Sequence, residues 1–468
     1  MNDVLRHMYD ACDPQRPATE AQYLDCSDAR GGSPFVEYVK TRLDLEQGHA
    51  RFLFAGHIGC GKSSELEKLG RDLEHGPIGD PCFFPILVPT GEYLDPYDAE
   101  TVDILLAIVA ELALALRTKH GLDLKEGYLP KRLVELKGLF GREIEISDTE
   151  PEVAGIKLPI RLLRKDPDAR QRVRKALEPG GTSVLEEVNQ VLIEAKNQLA
   201  TKLDKEGGPH LRDFVLILDD LEKIRRFGGK PEGLDSQREL FIQRAPQLTA
   251  LHAHVVYATP LELVRDSGIP LLSLYGRAPV VLPMVKVFHR GRQRKPCEEG
   301  RECLKHVLTR RAEPHALDKV FEPEVLDYLI DASGGHVRHL LQFVREAIAY
   351  ASSENDTRAV SADAARRAIG QTISTFSTMI PEAHWPKLAA LERSDDCGIP
   401  NGDPDYLKML ENLSVLEYVN GNGEVDSFEP WYAVHPVVRM LERFGREMAG
   451  PAKRRAKSSS TKRARKRK

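Results

Sequence analysis

The sequence lacks the features of a secreted or membrane-spanning protein. Its longest apolar stretch, Ile104 to Leu116, is shorter than a bilayer span and is interrupted by Glu111, so we expect a buried helix there. The N-terminal segment contains Asp3, Arg6 and Asp10 and has no continuous apolar core of the kind that a secretory signal peptide needs. These absences predict a cytoplasmic protein without a membrane segment.

Disulfide and zinc frameworks are missing as well. The seven cysteines are an odd number without paired spacings, which indicates reduced thiols in a reducing compartment. Cys297, Cys303 and His306 lie near one another in sequence, but a fourth ligand at a standard zinc spacing is absent. The pattern favours a loop followed by a helix over a metal site.

Charge is distributed unevenly along the chain. The 468 residues exceed the usual size of one domain, and the content of 41% apolar and 29% charged residues is typical of soluble globular proteins. The formal net charge is -4, yet residues 453–468 contain ten Lys or Arg and no acid, so the remainder is strongly acidic. We therefore predict several domains and a disordered basic tail at 451–468. Such a tail binds nucleic acid through its phosphates, and a solvated tail without a partner is the alternative.

One segment matches a phosphate-binding loop. Residues 52–55 form a short apolar run typical of a buried parallel strand, and the next eight residues read G-x-x-x-x-G-K-S. A helical pattern of leucines follows from Ser64. This order directs backbone N–H groups and a helix N-terminus at phosphates, with Lys62 reaching the β- and γ-phosphates and Ser63 binding Mg²⁺. The nucleotide contacts that we predict are Gly56, His57, Ile58, Gly59, Cys60, Gly61, Lys62, Ser63 and Ser64.

A second segment supplies carboxylates. Phe214 to Leu218 is the most strand-like run of the chain, and Asp219 and Asp220 follow it directly. Ligands of parallel α/β sheets bind at this end of the strands. We predict that Asp219 holds magnesium and that Asp220 activates the attacking water, with Glu222 as a second candidate for the latter role. Together the two segments predict a P-loop nucleoside triphosphatase that uses ATP and Mg²⁺.

At this point the chain resembles a known superfamily. Residues 214–224 are similar to the Walker B motif of the AAA+ and STAND ATPases, which include the origin-recognition initiators and the NACHT and NB-ARC switches. The phosphate loop corresponds to their Walker A motif. The resemblance implies that Thr259, in the strand-like run 255–260, senses the γ-phosphate. It also implies that Arg277 is an arginine finger for a neighbouring subunit, and a solvated surface arginine is the alternative.

The resemblance continues towards the C-terminus. Residues 333–338 and the apolar helical pattern after them resemble the lid of initiator-type ATPases, which implies that Arg338 is a second sensor arginine. Two glycines that only cap a helix are the alternative. Residues 431–439 look like the winged-helix segment of STAND switches, whose histidine contacts the ADP phosphate. His435 is the matching residue, and Pro436 replaces the third residue of the usual Met-His-Asp pattern.

These motifs divide the chain into segments. We expect an α/β fold, in which a P-loop parallel sheet with helices on both faces is followed by an all-α lid and a winged-helix domain. The predicted segments are an N-terminal lead-in at 1–50, a core at 51–290 with a helical insertion at 119–212, a lid at 291–380, a winged-helix domain at 381–450 and the tail at 451–468.

Two of these segments suggest further contacts. In the lead-in, the resemblance makes Arg30 and Phe35 candidate contacts for adenine. The insertion has the size of segments that bind a protein partner. Its arginine-rich stretch 161–175 is consistent with an acidic partner or with an exposed helix, and we favour exposure.

The motifs taken together predict an ATPase, slow or stimulated, that works as a molecular switch. It would couple its nucleotide state to a partner or nucleic acid, as regulators of bacterial defence or mobile elements do. The basic tail and winged helix support a second hypothesis, a DNA-loading or DNA-remodelling AAA+ subunit that forms a homo-oligomer. A catalytically silent, nucleotide-bound scaffold is a third, which the presence of both Asp219 and Asp220 disfavours.

Overall fold

The computed structural model divides the chain into two compact units. Unit 1 comprises residues 1–34, 56–64 and 282–468, and unit 2 comprises residues 35–55 and 65–281. No helix in the described part of the chain has the length and apolar character that crossing a membrane requires. The predicted tail at 451–468 and much of the insertion lie outside the described residues, which are 3–32, 34–74, 82–124, 152–153, 156–157, 160–177, 184–353, 359–421 and 429–449.

A five-stranded sheet organises unit 2. In sheet order the strands are β2 (Cys82–Pro89), β5 (Leu211–Asp219), β6 (His254–Pro260), β1 (Arg51–Gly56) and β7 (Val280–Leu282). Strand β5 pairs in parallel with both β2 and β6. Strand β1 lies between β6 and β7, although β2 follows it in the chain. Strands β3 (Glu152–Val153) and β4 (Ile156–Lys157) pair antiparallel in a separate two-stranded sheet. The predicted α/β class with a parallel sheet is therefore confirmed.

The strands form where the sequence is apolar on both faces. Phe52, Leu53, Phe54 and Ala55 are at most 1% exposed, as are the five residues from Phe214 to Leu218. A parallel strand covered on both sides buries alternate and intervening side chains alike, which explains the unbroken apolar runs. The first run ends at Gly56 and the second at Asp219, at the end of the sheet where ligands bind in this class.

Helices connect the strands and make up most of unit 1. The helices that begin before β6 are α1 (Asp3–Ala11), α2 (Ser27–Arg30), α3 (Phe35–Leu45), α4 (Lys62–Glu74), α5 (Thr90–Tyr93), α6 (Thr101–His120), α7 (Pro167–Leu177), α8 (Val184–Glu206), α9 (Leu234–Arg238) and α10 (Ala245–Thr249). Those after β6 are α11 (Leu261–Tyr275), α12 (Glu298–Ala312), α13 (Val325–Ser333), α14 (Val337–Ser353), α15 (Ala362–Met379), α16 (His384–Arg393), α17 (Pro404–Glu411) and α18 (Pro436–Arg439).

Ion pairs of two buried arginines hold helix α7 of the insertion in unit 2. The side chain of Arg170, 3% exposed, donates to Asp98 at 2.7 Å and to Asp95 at 3.1 Å. Arg174 donates to Asp98 at 3.0 Å and to Asp103 at 2.5 Å. The exposure that we expect for this arginine-rich stretch holds for Arg164, Lys165, Arg172 and Lys175. It is wrong for Arg170 and Arg174, whose acidic partners belong to the same unit. A charged amphipathic pattern shows which face is polar but not what that face meets.

The end of unit 1 combines helices with a hairpin. Strands β8 (Val415–Val419) and β9 (Pro430–Val434) pair antiparallel. Asp403 caps helix α17, since its carboxylate accepts the backbone N–H of Asp405 at 2.9 Å, and Pro404 occupies the first helical position. We refer to residues 384–449 as the C-terminal module, whose winged-helix character stays a prediction.

Candidate nucleotide site

The phosphate loop, residues 56–63, has a conformation that requires glycine. Gly59 has φ 90° and Gly61 has φ 115°, in the region that L-residues avoid. A Cβ at Gly59 would also lie 2.8 Å from Cβ of Arg338 and 2.9 Å from Cε1 of His336. The two inner glycines of the motif are thus needed for the backbone path and, at Gly59, for close contact with the lid, which here means helices α12 to α15.

Lys62 begins helix α4 and is 3% exposed. Its ammonium donates to the carbonyl of Gly56 at 3.0 Å and to that of His57 at 3.2 Å. Ser63 lies in the first turn of α4, and the hydroxyl of Ser64 accepts the backbone N–H of Ala18 at 3.0 Å. The strand, glycine loop and helix N-terminus therefore follow one another as the motif predicts, with Lys62 above the loop backbone.

The N-terminal lead-in supports the loop through an arginine. Arg30 is 4% exposed and donates to the carbonyl of Cys60 at 2.8 Å and to that of Pro283. Cys60 itself is fully buried. In unit 2, Phe35 stacks on Phe54 with ring centroids 3.5 Å apart, which makes it a core residue. Of the two candidate adenine contacts, one thus binds the loop backbone and the other packs beside strand β1.

The lid contacts the loop at two consecutive residues. The backbone N–H of Arg338 donates to the carbonyl of Gly59 at 3.1 Å, and Nε2 of His336 donates to that of Ile58 at 2.8 Å. Nε of Arg338 is buried without a hydrogen-bond partner among the described residues. The side chain of Arg338 therefore runs beside the loop, with donor capacity that a phosphate would satisfy.

The C-terminal module contacts the loop through His57, which is 3% exposed. Nε2 of His57 accepts the backbone N–H of Glu417 at 3.0 Å, and Nδ1 faces the carbonyl of Leu410 at 3.2 Å. The sequence predicts His57 as a nucleotide contact, but its contacts with the module could not be predicted, because the motif allows any residue at this position.

His435 belongs to a buried histidine cluster beside the lid. Its Nδ1 accepts the backbone N–H of Val437 at 3.1 Å as the cap of helix α18, so its Nε2 donates to Nδ1 of His339 at 2.9 Å. Nδ1 of His336 accepts the N–H of His339 at 3.0 Å. Burial lowers the pKa of His435 and His336 well below the usual value, and it lowers the pKa of His339 to about 4. The cluster is therefore neutral at pH 7, and both ring nitrogens of His435 have protein partners.

The acids after strand β5 gather in unit 2. One carboxylate oxygen each of Asp219, Asp220 and Glu222 lie within 4.8 Å of one another. Asp220 adopts the left-handed conformation with φ 70°, and its N–H donates to the Asp219 carboxylate at 2.8 Å. A Cβ at Gly91 would lie 2.6 Å from the Asp220 carboxylate. Hard oxygen ligands at this spacing are the donor set that magnesium prefers.

Thr259 lies at the end of strand β6, also in unit 2. It is fully buried, and its hydroxyl has no hydrogen-bond partner among the described residues. A buried hydroxyl without a partner costs free energy, which a ligand that accepts a hydrogen bond from it would recover. Thr259 thus lies at the end of the sheet where ligands bind in this class, and its sensor role stays a prediction.

Arg277 has partners within its own unit. Its guanidinium donates to the carboxylate of Glu46 at 2.7 Å and lies 4.4 Å from the ring centroid of Phe52. The ion pair and the cation–π contact explain the arginine without a second subunit. Its predicted action on a neighbouring subunit would require this ion pair to open.

Comparisons with known proteins yield similarity in solved structures only, because no family model and no curated protein matches the chain. The Walker-type ATPase PABY2304 of Pyrococcus abyssi is 15% identical, with 92% of this chain and 99% of that chain covered at a TM-score of 0.42. Cdc6p of Pyrobaculum aerophilum is 13% identical, covering 94% and 97% at a TM-score of 0.38. Drosophila ORC bound to DNA is 11% identical, covering 95% and 91% at a TM-score of 0.38.

Proposed function

We propose that this chain is an ATP-binding and ATP-hydrolysing switch of the AAA+/STAND kind. The observation that carries the proposal is the phosphate loop, whose glycine-dependent backbone leads into the N-terminus of α4 with Lys62 buried above it. A helix N-terminus, inward amides and a lysine together form an anion site that matches the β- and γ-phosphates. A loop that merely joined a strand to a helix would not need two glycines at positive φ and a buried ammonium.

The acids of unit 2 fit the metal that such a reaction uses. Ser63 and Asp219 would hold Mg²⁺, which neutralises phosphate charge when it is bound. Asp220, with Glu222 as the second candidate, would orient and polarise the attacking water. Thr259 would donate its hydroxyl to the γ-phosphate, since that hydroxyl has no partner among the described residues.

The contacts of unit 1 support a switch rather than a simple hydrolase. The lid reaches the loop through Arg338 and His336, and the C-terminal module reaches it through His57. A phosphate that attracts Arg338 or Lys62 changes the partners of these groups, so nucleotide state biases how the lid and the module are held. His435 would act on the ADP-bound state only if its bond to His339 opens.

The test is the nucleotide affinity of Lys62→Ala compared with Lys68→Ala. Lys68 lies on the same helix and pairs with Asp72, so its loss controls for charge and for helix stability. We expect Lys62→Ala to weaken binding of ATP at least about tenfold, since a charge-assisted contact contributes about 1.5–3 kcal/mol. Equal ATP affinity in the two variants would reject the proposal.

A DNA-loading or DNA-remodelling subunit is the second candidate, favoured by the ten cations of residues 453–468. We expect DNA or RNA to stimulate ATP turnover at low salt, and deletion of 451–468 to abolish that stimulation. Assays at two salt concentrations check this. Stimulation that survives the deletion would assign nucleic-acid binding to another surface, and none in either chain would leave the partner-coupled switch.

A further inference from the structure

His57 joins the phosphate loop to the C-terminal module through both nitrogens of its ring. Because the N–H of Glu417 donates to Nε2 at 3.0 Å, the proton of the neutral imidazole is on Nδ1. Nδ1 can then donate to the carbonyl of Leu410 at 3.2 Å. One side chain of the loop thus satisfies a donor in strand β8 and an acceptor in helix α17.

His57 binds a backbone N–H of strand β8 that does not pair with strand β9. Glu417 lies opposite Tyr432 in the β8–β9 register, but the N–H of Tyr432 donates to Cys397 at 2.8 Å. The two residues are therefore a pair without mutual hydrogen bonds, and the N–H of Glu417 points away from β9. Glu417 is fully buried, so its amide needs a protein partner, and that partner is the ring of His57.

The backbone of the same residue is held by the lysine of the motif. The ammonium of Lys62 donates to the carbonyls of Gly56 and His57. A phosphate competes for that ammonium, because an anion is a stronger acceptor than a peptide carbonyl. When the ammonium turns to phosphate, the peptide groups on both sides of His57 lose a donor, and the side chain anchored in the module belongs to that residue.

We propose that His57 is a positioning residue that transmits nucleotide state from the phosphate loop to the C-terminal module, through Glu417 and Leu410. The inference rests on the proposed function, in that it names the connection through which the switch acts. It predicts that nucleotide binding at the loop changes how well the Glu417 amide is protected from hydrogen exchange. Without the ring nitrogens of His57, nucleotide should still bind the loop but should no longer change the exchange of that amide.

Hydrogen–deuterium exchange of the full chain tests this, with Mg·ADP and a non-hydrolysable Mg·ATP analogue as the two ligands. Peptides that cover 56–64 report on the loop, and peptides that cover 404–419 report on the module. In the wild-type chain we expect nucleotide to change exchange in both. In His57→Leu we expect the Glu417 amide to exchange about tenfold faster without nucleotide and the module to stop responding to it.

Two further variants separate coupling from general loosening. His57→Gln keeps an acceptor and a donor on a side chain of similar size, and we expect it to restore the response of the module. Tyr418→Phe removes the bond of the next residue in β8 to the carbonyl of Gly334, 2.6 Å long, without touching the loop. We expect this control to keep the response, because it weakens the contact of β8 with the lid but leaves the bonds of His57 intact.

The outcomes are distinct. A module that responds to nucleotide in His57→Leu as it does in the wild type overturns the inference and leaves the proposed function standing. Loss of the response in Tyr418→Phe as well as in His57→Leu also overturns it, because general loosening of the module then explains the effect. A wild-type loop that shows no change with either nucleotide overturns the proposed function, and the inference falls with it.

Discussion

A fall in pH should destabilise unit 1 because of its buried histidines, and the pKa of His339 sets the size of the loss in stability. Its ring lies among those of His336, Phe343, Phe376 and His435, with centroid distances from 4.1 to 6.3 Å. Burial and, less strongly, the nearby charge of Arg338 lower its pKa from 6.5 to about 4. Between these two pH values His339 is protonated in the unfolded chain but not in the folded chain. The free energy of unfolding therefore falls as the pH falls through this window.

The size of the loss follows from the two pKa values. At pH 8 both states are neutral at this site, and at pH 5 only the unfolded state is mostly protonated, which lowers the free energy of unfolding by about 2 kcal/mol. The pKa values of His336 and His435 are lowered in the same direction, so the whole cluster loses more than His339 alone.

Urea unfolding followed by tryptophan fluorescence measures this in unit 1 alone. The two tryptophans of the chain, Trp385 and Trp431, both lie in unit 1 and are at most 2% exposed. We expect His339→Gln to reduce the difference in unfolding free energy between pH 8 and pH 5 by about 2 kcal/mol. His289→Gln, at an exposed histidine of unit 1, should leave this difference unchanged. The same pH dependence in His339→Gln and wild type would refute the reasoning.

Three further substitutions test other features. Gly59→Ala should weaken ATP binding at least about tenfold, because an alanine strains the loop at this positive φ and its Cβ contacts the lid. A Cβ added at Gly48 has no atom within 4 Å, so Gly48→Ala should leave ATP binding unchanged. Binding titrations compare the two variants. Thr259→Val should slow single-turnover hydrolysis without reducing ATP affinity or thermal stability, and normal turnover would reject the sensor role. Arg174→Ala should cost about 3 kcal/mol of stability by circular dichroism because it leaves Asp103 buried without its partner, while the exposed Arg172→Ala should cost little.

The sequence was informative where local patterns decide the structure. Strands β1 and β5 follow from unbroken apolar runs, and the loop between β1 and α4 follows from a motif whose glycines have a backbone reason. The contacts of His57 with Leu410 and Glu417 were not predictable, because they join residues more than 350 positions apart. The bond from the guanidinium of Arg30 to the carbonyl of Cys60 was not predictable either, because nothing local in the sequence reveals it.

The ion pairs that anchor helix α7 share their acidic partners. Arg170 contacts both Asp95 and Asp98, and Arg174 contacts Asp98, Glu100 and Asp103, so each guanidinium is shared among several carboxylates. Replacement of one exposed acid leaves each arginine a remaining acceptor. Such redundancy means that the loss of a single acid should weaken the attachment of helix α7 to unit 2 without abolishing it.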